Sequence, residues 1–208
     1  MSEVPEGVDL SGFVRKPPRP TATMTLTRDG PNGPEVLLGL RSETMAAFPG
    51  YWAFTGGGVS RVDGAAVESF SVLDVEHGKF IACILRETCE ELGVAPNGDH
   101  LISIDENARF DVIKDKANWL PHAEDCNIPV NVDNINILGH RITPPFGPVQ
   151  FDNAFIHFHC GDWQSVPEFD LEPQTEFDDV MWARPQDILE SWSKHEIKVA
   201  PPVISVLM

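Results

Sequence analysis

The sequence predicts a protein of the α/β (α+β) class, in which helices pack on a mixed β-sheet. Ile81–Val94 has the apolar periodicity of an amphipathic helix, and a second such segment, Pro185–Lys194, lies near the C-terminus. Alternating segments typical of β-strands lie on both sides of the first helix, as in Thr21–Arg28 and Phe151–Cys160. At 208 residues and 42% apolar composition, the chain suits one domain with an adequate core.

The helix predicted over Ile81–Val94 has an acidic side and an apolar side. At about 100° per residue, Glu87, Glu90 and Glu91 fall within one arc of about 100°. Gly93 follows at the position of a left-handed C-cap. The opposite side carries Ile81, Ala82, Leu85, Cys89 and Leu92. The acidic side is either a solvated surface or a site for Mg²⁺ or Mn²⁺, since these cations prefer carboxylate oxygen.

Upstream of this helix, the sequence predicts an extended arm and a hairpin. Residues 1–20 contain four prolines and few core candidates, so we expect an N-terminal arm. Thr21–Arg28 and Glu35–Arg41 are predicted strands joined by the turn residues D-G-P-N-G-P. A loop over residues 42–51 and a short strand over Trp52–Phe54 then lead to three glycines.

Downstream of the helix, a turn at Pro96–Gly98 precedes a segment that is added to the minimal fold. Residues 100–130 predict one or two short helices with loops, and Asn134–Thr143 predicts a strand before the strand Phe151–Cys160. The remainder is predicted as a loop, a short strand and two helices: Asp170–Asp179, Val180–Ala183, Pro185–Lys194 and a segment opening at Pro201.

The charge of the chain restricts its partners. A net charge of −17 argues against binding a nucleic-acid backbone, although a small nucleotide remains compatible if metal and local arginines neutralise it. No apolar run approaches about 18 residues, and the acidic N-terminus lacks a signal core, so we expect a cytoplasmic protein without a membrane span. The four cysteines form no C-x-x-C pair and are expected to be free thiols. A homodimer is compatible with these expectations.

The order of residues in the acidic helix resembles the second half of the Nudix box. Arg86–Val94 reads R-E-T-C-E-E-L-G-V, similar to the pattern Arg-Glu-apolar-x-Glu-Glu-x-Gly-apolar, and Phe54–Val59 resembles the glycine-rich loop that opens the box. The resemblance implies a Nudix-type α-β-α sandwich over residues 21–208. It also implies metal-dependent hydrolysis of a diphosphate that is linked to another moiety.

The middle of the box departs from the family pattern. The usual spacing would place a Glu at position 78 and a Gly at position 72, where this chain has Gly78 and Val72. An insertion over about residues 60–77 accounts for the difference. Either Asp63 or Glu68 then takes the place of the missing Glu.

Two further segments resemble coenzyme A diphosphatases of this family. Leu40–Gly57 contains an Arg-Ser pair, a loop with Gly and the run F-T-G-G, with Asp63 downstream. T-P-P-F-G-P-V-Q-F-D-N-A-F-I-H-F, ending at Phe158, resembles a Thr-Pro loop followed by an aromatic strand in the sub-family with an interrupted box. The resemblance implies coenzyme A or an acyl derivative as the leading substrate.

The resemblance also assigns roles to residues. Mg²⁺ or Mn²⁺ would be held by Glu87, Glu90, Glu91 and the carbonyl of Gly58, while Arg86 would orient one of the carboxylates by a salt bridge. The predicted catalytic set is Arg86, Glu87, Glu90 and Glu176. The predicted substrate-binding set is Arg41, Gly57, Gly58 and Phe151, with Arg41 forking onto phosphate oxygens.

The sequence leaves open which residue is the general base, which substrate is cleaved, and whether the domain is catalytic. The base comes from the helix or from a later acid, of which the candidates are Glu124, Asp152, Glu172 and Glu176. His157 and His159 share a strand face and could bind Zn²⁺, but no third ligand is evident and a structural role is favoured. The first rival substrates are ADP-ribose and NADH. The rival from another class is a nucleotide-binding Nudix domain without catalytic activity.

Overall fold

The architecture is a mixed β-sheet with helices on both faces. The computed structural model describes residues 17–75, 77–143, 150–173 and 176–208. Residues 1–16 of the predicted arm and the loop residues 144–149 of the coenzyme A diphosphatase resemblance lie outside the described residues.

The sheet is built around β1 (Arg19–Gly30), which pairs with three other strands. It forms an antiparallel hairpin with β2 (Gly33–Arg41) and an antiparallel pair with β4 (Thr55–Gly58). Its other edge runs parallel to β8 (Phe151–Asp162), with Thr21 opposite Asn153. The sheet is completed by three shorter strands, β3 (Trp52–Ala53), β7 (Asn136–Ile142) and β9 (Phe177–Ala183).

Two predictions about this sheet are wrong in detail. The glycine-rich segment, expected as a loop, is strand β4, because its backbone pairs with Thr21–Met24 of β1. The acidic segment Asp170–Asp179, expected as a loop throughout, enters strand β9 at Phe177, whose backbone pairs with β2. In both cases pairing with a neighbouring strand overrides the local preference for a turn.

The acidic helix is α2 (Gly78–Leu92), which begins three residues earlier than predicted and ends before Gly93. Gly93 has φ 68°, the left-handed conformation expected of a C-cap. Of the two alternatives for the acidic side of this helix, the solvated surface is not observed, since Glu87 and Glu91 are both buried. Their burial follows from the elements that cover this side of the helix, namely β4 and the inserted segment.

The two segments outside the minimal fold are largely helical. Residues 60–77 contain α1 (Arg61–Ser69) and a short 3₁₀ turn, Ser71–Leu73. The 100–130 region, predicted as short helices with loops, begins with a strand instead. This strand, β6 (His100–Ser103), forms a hairpin with β5 (Val94–Asn97). It continues with α3 (Glu106–Lys114), a 3₁₀ turn and α4 (Trp119–Glu124).

Alternation along β2 divides the core between the two faces of the sheet. Leu37 packs in the cluster beneath α2, whereas Val36 and Leu38 pack in a second cluster. The second cluster lies under α5 (Pro185–Ser193) and α6 (Pro201–Leu207). The predicted fold class, helices on both sides of a mixed sheet, is therefore confirmed. In the described part of the chain, no helix combines the length and hydrophobicity needed to cross a membrane.

Candidate metal centre and substrate cavity

Arg86 is the centre of a buried network of carboxylates on α2. Its side chain is about 2% exposed, and its Nη1 donates to Glu90 Oε1 at 2.8 Å. Its Nη2 lies 2.8 Å from Glu87 Oε1 and donates to the Gly58 carbonyl at 3.4 Å. One guanidinium therefore contacts two of the predicted ligands and the glycine strand. This arrangement matches the orienting role that the Nudix resemblance implies for Arg86.

Asp63, rather than Glu68, occupies the place of the missing Glu. Arg86 Nε donates to Asp63 Oδ1 at 2.8 Å, and Nη2 donates to Oδ2 at 3.2 Å, so the contact is bidentate. Asp63 is fully buried, whereas Glu68 is exposed on the same helix. The Ser60 amide and hydroxyl also donate to Asp63 Oδ2, which forms a capping box at the start of α1.

Glu91 is buried between α2 and β4 with half of its carboxylate unpartnered. Its Oε2 accepts hydrogen bonds from the Thr55 hydroxyl and, at 3.0 Å, from the Gly56 amide. Its Oε1 has no hydrogen-bond partner among the described residues and is inaccessible to solvent. A buried acceptor with no donor is costly unless a cation or a proton compensates it.

The electrostatics of the cluster favour neutralisation of its carboxylates. Burial raises the pKa of Glu87 to about 7, against the opposing effect of Arg86. Burial also raises the pKa of Glu90, and it raises that of Glu91 well above the ordinary range, with the charges of Glu87 and Glu176 adding to the effect. Like-charged carboxylates in a dry site behave in this way when no cation is bound.

Of the four acids considered for the general base, Glu176 is the one whose charge acts on the cluster. It adds to the raised pKa of Glu91 and, as a smaller cause, to those of Glu87 and Glu90. The remaining three candidates are not among these influences. Glu124 and Glu172 are exposed, and Asp152 contacts the ring of His140 at 3.2 Å. Glu176 is held on the other side by its own carbonyl, which accepts the Ser42 amide at 2.9 Å.

These residues fit a divalent cation, although they do not form a ready-made ligand set. Among the described residues, no group of three or more His, Cys, Asp or Glu side chains converges as metal ligands. Glu87 and Glu90 are turned onto Arg86 instead, and Glu91 is turned onto Thr55. The unpartnered Oε1 of Glu91 and the raised pKa values of the cluster fit Mg²⁺ or Mn²⁺, because a divalent cation would compensate both.

A cavity of about 810 Å³ opens beside this cluster. Gly57 separates the two, because a Cβ at this position would stand 2.3 Å from Glu87 Oε1. Aromatic side chains and prolines of α6 supply most of the apolar wall, including Phe48, Phe54, Phe151, Phe155, Pro201 and Pro202. The described lining also includes Arg41 and Arg141 but no Asp or Glu, which is notable in a chain of net charge −17.

The predicted substrate-binding residues fall on two sides of the glycine strand. Arg41, Gly57 and Phe151 line the cavity, whereas Gly58 lies on the side of the carboxylates through its carbonyl. Arg41 Nε donates to the Ala47 carbonyl at 2.9 Å, which fixes the side chain at the loop before β3.

Two polar residues of the cavity were missed by the sequence analysis, namely Arg141 and Asn153. Asn153 Oδ1 accepts from the hydroxyls of Thr21 and Thr23, at 2.9 and 3.1 Å, so its amide is held in one orientation. Arg141 lies on a predicted strand without a motif, and the resemblance that covers Asn153 assigned this residue no role. Only the parallel pairing of β1 with β8 brings Asn153 beside the two threonines.

The histidine pair on β8 has a structural environment. Thr27 Oγ1 lies between His157 Nε2 at 2.8 Å and His159 Nδ1 at 3.1 Å. The hydroxyl thus engages one nitrogen of each ring. The second nitrogen of His159 is 3.6 Å from Asp29. These contacts favour a structural role for His157 and His159 over a Zn²⁺ site.

The fold has clear relatives among solved structures. A NUDIX hydrolase from Alicyclobacillus acidocaldarius superposes with a TM-score of 0.79 at 25% sequence identity, covering 93% of this chain and 91% of that chain. The protein has the Nudix hydrolase fold. The Nudix domain of Shewanella oneidensis NrtR, solved in complex with ADP ribose, superposes with a TM-score of 0.52 at 15% identity and covers 97% of this chain and 90% of that one. No protein-family model and no curated protein matches the sequence.

The similarity to Nudix hydrolases confirms the predicted enzyme class, a pyrophosphohydrolase of the Nudix type. It leaves the sub-family and the substrate as predictions. Within the Nudix fold, α2 holds the box glutamates and β4 holds the box glycines. The inserted α1 supplies Asp63 from outside the usual spacing.

Proposed function

We propose that the protein is a divalent-metal-dependent hydrolase that cleaves the diphosphate linkage of a nucleoside diphosphate derivative. The leading substrate is coenzyme A or an acyl derivative, which would yield adenosine 3′,5′-bisphosphate and a phosphopantetheine. The observation that carries the proposal is the shared wall at Gly57. On one side of it lie the buried glutamates, and on the other side lies a cavity with cationic and aromatic lining.

The glutamates supply the metal-holding part of the proposed site. Glu90 and Glu91 would be the main ligands, with Glu87 and the Gly58 carbonyl completing the set, since all four lie around the Arg86 network or β4. When bound, Mg²⁺ or Mn²⁺ neutralises phosphate charge and lowers the pKa of a coordinated water. Arg86, fixed by Asp63, would keep the Glu87 and Glu90 carboxylates on one side of the helix.

Glu176 is the proposed general base. Its charge contributes to the raised pKa values of all three glutamates of α2, which supports a carboxylate near enough to the cluster to serve an attacking water. A carboxylate in this position can accept the proton of that water as the phosphorus–oxygen bond forms. The apolar cavity walls would exclude bulk water from the remainder of the substrate.

The cationic lining of the cavity supports a substrate with more negative charge than a diphosphate alone. Arg41 is anchored near the glycines, and Arg141 lies on the edge strand β7, paired with Asn153 of β8. Two guanidinium groups without a lining carboxylate would stabilise a further phosphate, as guanidinium forks do. Coenzyme A carries a 3′-phosphate in addition to its diphosphate, whereas ADP-ribose and NADH carry only the diphosphate.

A substrate panel tests the proposal. Purified protein with Mg²⁺ or Mn²⁺ is incubated with coenzyme A, acetyl-coenzyme A, dephospho-coenzyme A, ADP-ribose and NADH, and products are separated by chromatography. We expect metal-dependent cleavage with preference for coenzyme A over its dephospho form. Glu90→Gln and Glu91→Gln should each abolish turnover, whereas the exposed Glu68→Gln should not. Full activity in both of the first two variants would refute the assigned site.

A second candidate function is nucleotide binding without turnover. It is favoured by Gly78 at the box position that usually holds Glu. The fold of the NrtR domain, solved with ADP ribose, shows that a Nudix domain can hold such a ligand. Calorimetry distinguishes the two: binding of a panel member with no metal-dependent product would establish the binding module. Retention of Arg86 with all three glutamates favours the enzyme.

A further inference from the structure

Arg109 joins the acidic helix to the chain that leads to Glu176. It lies on α3, within the 100–130 region that the minimal fold lacks, and it is about 3% exposed. Asp105 caps this helix through hydrogen bonds from the amides of Asn107 and Ala108, at 3.1 and 3.2 Å. The helix thus begins one turn before the arginine and holds its backbone in place.

The guanidinium of Arg109 first binds the C-terminal end of α2. Its Nε donates to the carbonyls of Cys89 and Glu90, at 3.1 and 3.3 Å, and its Nη2 donates to the Glu90 carbonyl at 3.1 Å. The Cys89 carbonyl also accepts the Gly93 amide at 3.1 Å, whereas carbonyls nearer the end of a helix, such as that of Glu90, lack an intrahelical partner. A cation there also complements the helix dipole. Gly93 makes room for this contact, since a Cβ there would lie 3.2 Å from Arg109 Cδ.

The remaining nitrogen of Arg109 binds the segment that precedes β9. Its Nη1 donates to the Glu172 carbonyl at 2.7 Å and lies 2.9 Å from Asp170 Oδ2. Glu172 is four residues before Glu176, whose own carbonyl is fixed by the Ser42 amide at 2.9 Å. Of the described residues on either side of positions 174 and 175, Glu172 is thus tied to α2 through Arg109, and Glu176 is tied to the end of β2 through Ser42.

We propose that Arg109 is a positioning residue that holds the segment leading to Glu176 against the C-terminal end of α2. The added 100–130 region then contributes to the site because it positions Arg109 between α2 and the segment that contains Asp170 and Glu172. The placement itself rests only on the contacts above. Its effect on turnover rests on the proposed function, in which Glu176 receives the proton of the attacking water.

The first test measures placement without any activity. Amide hydrogen exchange is followed in Arg109→Gln and in the matched control Arg184→Gln, which removes another arginine that is paired with a carboxylate, here Asp187 on α5. We expect faster exchange over peptides spanning residues 170–180 in Arg109→Gln alone, with wild-type circular dichroism. Unchanged exchange in this segment would overturn the proposal. If Arg109→Gln does not fold, Arg109→Lys and Asp170→Asn provide the same comparison.

The second test measures coupling to Glu176 in the presence of metal and the best substrate of the panel. Arg109→Gln should lower kcat by about 10- to 100-fold, the range typical for residues that support catalytic groups, with little change in KM. The double variant with Glu176→Gln should be no slower than Glu176→Gln alone, because both changes remove one function. If the reductions in kcat of the two single variants multiply in the double variant, the proposal is overturned. Arg109→Lys, which keeps the positive charge, should recover part of kcat. Absence of any turnover in the wild type would instead count against the proposed function, with the exchange result unaffected.

Discussion

Replacing Asp63 by Asn tests the most unusual feature of the site, its substitute for the box Glu. The change preserves the volume of the side chain but removes the charge that faces Arg86 at 2.8 and 3.2 Å. Loss of one partner from a buried ion pair costs about 3–5 kcal/mol, because the other charge stays buried. Arg86 keeps Glu87 and Glu90, so we expect the lower end, about 3 kcal/mol. For a chain of this size that corresponds to a decrease of roughly 6–12 °C in Tm.

Urea unfolding followed by circular dichroism measures this free energy for the wild type, Asp63→Asn and Glu68→Gln. Glu68 lies on the same helix and is exposed, so its variant should stay within about 0.5 kcal/mol of the wild type. Metal-dependent turnover should fall in Asp63→Asn and stay unchanged in Glu68→Gln. A loss below about 1 kcal/mol in Asp63→Asn, or an equal loss in Glu68→Gln, would refute the reasoning.

Three further predictions follow from contacts in the same region and in the core. Gly57→Ala should fold normally but lower turnover at least about tenfold, because the added Cβ would stand 2.3 Å from Glu87 Oε1 and displace that carboxylate. Mn²⁺ titration and steady-state kinetics measure the effect, and a wild-type rate would contradict the prediction. The metal-free wild-type protein should lose stability relative to Glu87→Gln as pH rises from about 4.5 towards 7. Burial raises the pKa of Glu87 in the folded state, so the folded protein binds this proton more tightly than the unfolded chain and loses that stabilisation when the proton leaves. Thermal melts of both proteins across this pH range test the sign, and a constant difference between them would contradict the prediction. With a thiol reagent, the exposed Cys126 should react at once, whereas the three buried cysteines should react only on unfolding. The buried thiols are shielded from the reagent, and burial raises their pKa values. More than one fast-reacting thiol would contradict this prediction.

Much of the fold could be predicted from local pattern. The strands β1, β2 and β8 and the helices α2, α5 and α6 follow from alternation, helical periodicity and proline or glycine signals at their ends. The glycine strand could not be predicted in this way, because its strand character comes from pairing with β1 rather than from its own residues. The boundary of β9 was misplaced for the same reason.

The candidate site was predicted unevenly. The order of Arg86, Glu87, Glu90 and Glu91 could be recognised within less than two turns of helix. The structure places Arg86, Glu87 and Glu90 in one network with Gly58, and it buries Glu91 against β4. The choice between Asp63 and Glu68 needed the packing of α1 on α2. Besides the resemblance that includes Asp63 downstream of the glycines, a Ser-x-x-Asp capping box at Ser60 was a signal in the sequence that could have favoured Asp63.

The sequence by itself determined the class of fold, the acidic helix with its glycine stop, and the set of carboxylates available for a cation. These features depend on residues that are neighbours along the chain, so periodicity and spacing are sufficient to find them. Only the tertiary structure decided that Asp63 completes the Arg86 network, that Arg109 ties the helix to the Glu176 segment, and that Arg41 and Arg141 share a cavity. Those contacts join residues far apart in sequence, and their energies arise from burial and strand pairing that no local pattern encodes.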